Sequence, residues 1–174
     1  MDHIWSPWRY RYVTTSSPDD RCVFCAKLTA GDDEGNYIIH RGAHNFVLLN
    51  LFPYTNGHMM VAPYAHVADY DDLPDEAAHE MTMLTQQAVR HLKALYKPHG
   101  INVGMNLGQC AGAGIAGHLH MHILPRWYGD VSFMTSIGET RVLPEELSVT
   151  WRKLRGAFGG GRSEVTGGER GRVK

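Results

Sequence analysis

The spacing of apolar residues changes along this chain, and the changes mark out its elements. Asn36–Arg41 and Asn45–Asn50 are short apolar-rich runs joined by a turn through Gly42-Ala43. After a Pro/Asn turn at Leu51–Asn56 comes a third run, Gly57–Pro63. Runs of this length, bounded by turn residues, predict three strands of an antiparallel meander. The spacing then lengthens. Ala77, Met81, Leu84, Ala88, Leu92 and Leu95 recur at steps of three or four, which is the apolar stripe of a helix over 74–97. Pro74 suits its first turn, Asp75 and Glu76 complement the positive end of its dipole, and Pro98 and Gly100 stop it. Ile101–Leu107 reads as a fourth strand. Pro144–Phe158 reads as a short closing helix with Leu147, Trp151 and Leu154 on one side.

Between the fourth strand and that closing helix the period becomes strictly two. In Gly117-His118-Leu119-His120-Met121-His122-Ile123-Leu124-Pro125, three histidines alternate with large apolar residues. A strand with this pattern carries all three imidazoles on one face and sends Leu119, Met121 and Ile123 into a core, with the proline ending the run. The glycine-rich loop Gly108–Gly117 feeds it. A main chain with so little side-chain bulk can approach a ligand closely and aim amide N–H groups at it. The order strands, helix, strands, helix predicts an α+β fold with a mostly antiparallel five-stranded sheet. The expected organisation is an aromatic N-terminal arm over 1–21 (Trp5, Trp8, Tyr10, Tyr12), one domain over 22–158 and a flexible Gly/Arg-rich tail over 159–174.

Composition narrows the function by exclusion. With 17 Lys+Arg against 18 Asp+Glu, the formal charge of −1 leaves no footprint for non-specific nucleic-acid binding. No apolar run approaches a membrane span and no charged-then-apolar leader opens the chain, so a soluble, cytoplasmic protein is expected. The three cysteines do not form a secreted disulfide framework.

Stacked histidines beside free amides fit several chemistries. They could be surface residues without a role, or a three-histidine metal site, although no histidine follows His122 to complete a cupin-type set. One imidazole could attack phosphorus while its neighbours hold phosphate oxygens, since phosphoryl and nucleotidyl transfer needs mainly positioning and charge stabilisation. The central histidine, flanked by donors, is then the natural nucleophile. The same pocket could also serve a nucleotide-binding switch with little turnover. Cys22-x-x-Cys25 likewise has three readings: a redox pair, inert buried thiols, or two thiolate ligands of a zinc ion completed by histidines. A thioredoxin-type pair needs a preceding strand and a helix start, neither of which the pattern indicates. Cys110 reads as a lone thiol.

The sequence His118-Leu-His120-Met-His122-Ile-Leu resembles the motif of the histidine-triad (HIT) nucleotide hydrolases and transferases, and the resemblance spans roughly Cys22 to Phe133. Asn50 with Gly57-His58 and the following apolar strand is similar to the family's second landmark. Leu124-Pro125-Arg126-Trp127-Tyr128-Gly129-Asp130 resembles the fragile-histidine-triad branch and the bacterial diadenosine tetraphosphate phosphorylases.

The resemblance implies a role for each matching residue. His120 is the nucleophile that forms a nucleotidyl-histidine, and His122 binds the scissile phosphate. Asn50 contacts the ribose, Leu48 and Met60 wall the base, and Asn106 lies near the phosphates. The chain departs from its relatives in the loop, where Gly112-Ala113-Gly114-Ile115 replaces a Gly-Gln-Ser/Thr run. Phosphate holding there falls to the amides of Gly112, Gly114 and Ile115. For the cysteine pair, the resemblance implies a structural Zn²⁺ held by Cys22, Cys25, His66 and His118, with His58, His40 and His44 as weaker ligand candidates.

The implied activity is attack on the α-phosphate of a dinucleoside polyphosphate such as diadenosine tetraphosphate, completed by phosphate or water. A nucleoside phosphoramidase and a nucleotide-binding module remain as alternatives. Mg²⁺ enters only as a companion of the substrate phosphates. A homodimer joined across the long helix and the fourth strand is implied as well, or a higher homo-oligomer in which the aromatic N-terminus supports further assembly.

Overall fold

The computed structural model describes residues 22–130 and 143–159. The aromatic arm, and the tail beyond Gly159, lie outside the described residues. The elements are α1 (Val23–Thr29), β1 (Ile38–Arg41), β2 (Asn45–Leu49), β3 (Met59–Pro63), α2 (Asp75–Tyr96), β4 (Gly100–Met105), β5 (Met121–Arg126) and α3 (Leu147–Gly159). The five strands form one antiparallel sheet in the order β1-β2-β3-β5-β4. This is the expected α+β arrangement.

Every residue of β2 and β3 is buried, which explains why these strands read as apolar runs and not as an alternation: both faces of the sheet are covered. On one face, Ile39, Val47, Leu49, Met59, Val61, Leu119 and Ile123 meet Ala77, Met81, Leu84, Ala88 and Leu92 of α2 and Leu154 and Phe158 of α3. On the other, Ile38, Phe46, Leu48, Met60 and Ala62 pack beneath Phe24 of α1. The strand's period of two sends the neighbours Ile38 and Ile39 of β1 to opposite faces.

Glu80 of α2 ties the helix to the sheet. Its carboxylate accepts the N–H groups of Ala43, His44 and Asn45 and the Asn45 side-chain amide, at 2.6 to 2.9 Å. Burial pushes this carboxyl up, but those hydrogen bonds outweigh burial and hold it below the usual carboxylate range. At the outer edge, α3 covers two carbonyls of β1: Trp151 Nε1–H donates to that of Ile38 and Arg155 to that of Ile39. Gly57 (φ 77°) precedes β3 where any Cβ would come within 3.0 Å of Leu92. Both the backbone conformation and the close packing require glycine there.

Three expectations need correction. Leu95 leaves the helix stripe and is 42% exposed, while Tyr96 packs on the core in its place, because a step of four from Leu92 keeps the buried azimuth better than a step of three. Pro125 lies within β5 and does not end it. The Arg126 carbonyl accepts the His99 N–H, so alternation turns the Pro125 nitrogen toward β3, whose pairing with β5 ends at Met59 and asks for no donor. Finally, a helix does begin beside Cys22. With seven residues α1 is too short to show an apolar period, and its burial against the sheet supplies what propensity does not.

Candidate active site

The three histidines share a face, as the period of two requires. β5 begins at Met121 and not at Gly117 as the alternation predicts, so His118 and His120 precede it, anchored by the Leu119 N–H on the Val67 carbonyl at 2.7 Å, while His122 sits within β5 opposite Met60 and Gly104. Leu119 and Ile123 are buried on the α2 side. Phe24 contacts both His118 and His120, and the rings of His120 and His122 meet edge to face with centroids 4.7 Å apart.

Main-chain groups fix the ring protons. A carbonyl oxygen can only accept, so the 2.8 Å contact between His120 Nδ1 and its partner, the His118 carbonyl, places the proton on Nδ1 and the lone pair on Nε2. Burial holds the His120 imidazole below its ordinary pKa, against a smaller upward pull from that carbonyl, which keeps the ring neutral and nucleophilic near pH 7.

A second chain of constraints starts at Tyr54. Its N–H donates to His58 Nδ1 at 3.2 Å, so the proton of neutral His58 sits on Nε2 and donates to His122 Nδ1 at 2.9 Å. His122 therefore carries its own proton on Nε2, as a donor suited to a phosphate oxygen. His58, read from sequence as part of the family's second landmark and as a weaker metal-ligand candidate, is the buried partner of His122. The register could have revealed it, since His58 is two residues before Met60, the residue facing His122.

The remaining predicted residues surround this row. Asn50 accepts the Phe52 N–H on Oδ1 at 3.0 Å and faces His58 Nδ1 through Nδ2 at 3.4 Å, shaping the turn over the histidines. Asn106 donates to the Gly112 carbonyl at 3.3 Å, bracing the loop from inside. Gly112 adopts φ 90° at the end of a single 3₁₀ turn, Gln109–Ala111, so a side chain there would be strained. Ala113 is buried, Gly114 is exposed, and Ile115 leans on the cluster that holds Phe24, Leu48 and Met60.

Cys22, Cys25, His66 and His118 converge, with one ligand atom from each lying within 4.8 Å of all the others. Cys22 Sγ is 3.3 Å and Cys25 Sγ 3.7 Å from His118 Nδ1, and Cys25 Sγ is 3.5 Å from His66 Nδ1. Ligands held at 2.0–2.3 Å on a tetrahedron are separated by roughly 3.3–3.8 Å, so this donor set fits a four-coordinate ion of the zinc type. His118 Nε2–H donates to the Pro63 carbonyl at 3.0 Å, which leaves Nδ1 as the ligand atom. Burial, then the hydrogen bond and charge of Cys22, push the Cys25 thiol up, a cost that a bound cation removes. Among the weaker ligand candidates, His40 packs on Phe158. Cys110 is exposed in the glycine loop.

Comparison with known proteins agrees with this geometry. The chain is 40% identical to an AP-4-A phosphorylase of Mycobacterium tuberculosis over 88% of this chain and 83% of that protein. It is 31% identical to the Protein hit of Bacillus subtilis over 74% of this chain and 88% of that one. The crystal structure of a zinc-bound histidine triad family protein from Mycobacterium smegmatis superposes with a TM-score of 0.65 at 29% identity, covering 79% of this chain and 93% of that one. The HIT domain family profile matches residues 34–128. With the triad, its sheet and these relatives in agreement, the chain belongs to the HIT domain family.

Proposed function

We propose that the protein is a dinucleoside polyphosphate phosphorylase acting on substrates of the diadenosine tetraphosphate class. The observation that carries this reading is the Nδ1–H bond of His120 to the His118 carbonyl, which leaves Nε2 as a neutral nucleophile. The likeness to the M. tuberculosis AP-4-A phosphorylase supports the choice of substrate and of phosphate as acceptor.

His120 Nε2 attacks the α-phosphorus. The bond from that phosphorus to its bridging oxygen breaks, and a nucleoside triphosphate leaves. A phosphate oxygen then attacks the nucleotidyl-histidine, the P–N bond breaks, and a nucleoside diphosphate is released. His122 Nε2–H and the amides of Gly112, Gly114 and Ile115 stabilise the charge that develops on the phosphoryl oxygens. Asn50 lies against the ribose, and Asn106 keeps the loop in place.

Cys22, Cys25, His66 and His118 hold a structural Zn²⁺ that closes α1 onto the triad, a reading supported by the donor spacing and the zinc-bound M. smegmatis neighbour. The protein works in the cytoplasm as a homodimer. No helix among the described residues is long and apolar enough to cross a membrane.

The test is incubation with diadenosine tetraphosphate, with and without inorganic phosphate. ADP and ATP appearing only with phosphate support the proposal. AMP and ATP without phosphate point to a hydrolase, and no product in either arm contradicts both. Elemental analysis finding about one zinc per chain, with a lower melting temperature after chelation, supports the metal. Absence of zinc together with unchanged melting removes it.

A further inference from the structure

Phe24 stands between the two cysteines of the metal-type cluster, yet its ring reaches the triad. It is 1% exposed, while its neighbour Val23 is 48% exposed, so α1 turns this one aromatic inward. The ring meets Phe46 edge-on at 6.4 Å and touches two imidazoles, His118 at 5.0 Å and His120 at 5.1 Å, tilted by 44° and 42°. His118 Nδ1 itself lies 3.3 Å and 3.7 Å from the sulfurs of the two cysteines that flank Phe24. One short segment thus joins the cluster to the catalytic row.

The orientation of the His120 ring needs such a support. The torsion that turns a histidine ring about its Cβ–Cγ bond has a broad, shallow profile. One hydrogen bond at Nδ1 fixes a point on the ring without fully fixing its plane. The nucleophilic lone pair on Nε2 lies in that plane, so rocking the ring misdirects an attack that must be in line with the leaving oxygen. Among the described residues, the aromatic groups that limit rocking are His122, edge to face at 4.7 Å, and Phe24.

We propose that Phe24 is a positioning residue for His120, and that the Cys22/Cys25/His66/His118 cluster acts on the reaction by fixing α1 and hence this ring. The idea rests on the reading of His120 as nucleophile. Phe24 touches no substrate; it sets the aim of the group that does. Integrity of the cluster then governs turnover more than substrate affinity.

Phe24→Leu keeps an apolar side chain at the site and removes the flat ring, and Phe24→Met serves as a second variant should the first fold poorly. Both are studied as zinc-loaded protein. The expected result is unchanged metal content, KM for diadenosine tetraphosphate within about threefold of wild type, and kcat lower by about tenfold or more. In NMR spectra, the His120 ring signals are expected to be narrow and shifted by the Phe24 ring current in wild type, and to lose that shift and broaden in the variants.

Unchanged kcat in a folded, metal-replete variant overturns the proposal. So does a fall in kcat that only follows lost metal or lost folded protein. Should wild-type protein turn over no nucleotide, the phosphorylase reading fails by itself. The His120 ring signals then still decide the positioning role, and signals unaltered by the Phe24 substitutions overturn it.

Discussion

His120 and His118 each give one ring nitrogen to a main-chain carbonyl, and His58 receives a main-chain N–H, so the backbone itself sets three tautomers of the site. His122 is the exception, because its proton is placed by another imidazole, that of His58. Replacing His58 by Phe keeps the ring volume but removes the donor, leaving His122 free to carry its proton on the wrong nitrogen. The expected outcome is a kcat lower by about a hundredfold with little change in KM, in line with loss of one donor to a developing charge. Steady-state kinetics on diadenosine tetraphosphate check it, and a variant with wild-type kcat refutes the relay. The triad was legible at this scale because a period of two is written in consecutive residues. The contact of His58 with His122 spans 64 positions and exists only once β3 and β5 are in register. Phe24 was equally hidden, since nothing local to Cys22–Cys25 says which way a short helix turns its one aromatic.

Among the elements, α2 was legible almost to the residue, because a 22-residue helix repeats its stripe enough times to average out exceptions such as Leu95. The seam where β1, α2 and α3 meet was not. There Phe158 of α3 packs between His40 of β1 and His91 of α2, with ring centroids 5.4 and 4.7 Å away. His91 Nε2 is buried without a hydrogen-bond partner among the described residues. Burial lowers the pKa of both imidazoles. Arg155 adds to the effect at His40 while Glu80 opposes it, and Arg90 adds to it at His91. The folded protein therefore binds these protons less readily than the unfolded chain. Their contribution to stability is complete above the ordinary imidazole value of about 6.5 and is lost as pH falls below it. Melting temperature is expected to fall between pH 7 and pH 5.5, and less steeply in His91→Leu. Parallel melting curves for the two proteins across that range contradict this account of the seam.

At the level of the whole molecule, the two edges of the sheet are treated differently. The β1 edge is covered by Trp151 and Arg155 of α3, whereas β4 forms the other edge with Val103 47% exposed and Gly100, Asn102 and Gly104 exposed beside it. Among the described residues nothing covers this edge, and an uncovered edge with an apolar residue at its centre invites a second strand, which supports the proposed homodimer. Val103→Arg is expected to shift sedimentation at micromolar concentration from dimer to monomer, and a wild-type monomer contradicts the proposal. The fold class was legible because neighbouring elements in sequence are neighbours in space. The insertion of β5 between β3 and β4 was not, since it rests on long-range pairing that no local period encodes.

The proposed activity turns on one covalent step at one atom, His120 Nε2. Rapid quenching of wild-type protein with diadenosine tetraphosphate in the absence of phosphate, followed by intact and peptide mass analysis, reads that step directly. The expected result is a single nucleotidyl adduct on His120 that disappears when phosphate is added. His120→Asn should bind the nucleotide, form no adduct and turn over no substrate. An adduct on another residue, or undiminished turnover in His120→Asn, would contradict it.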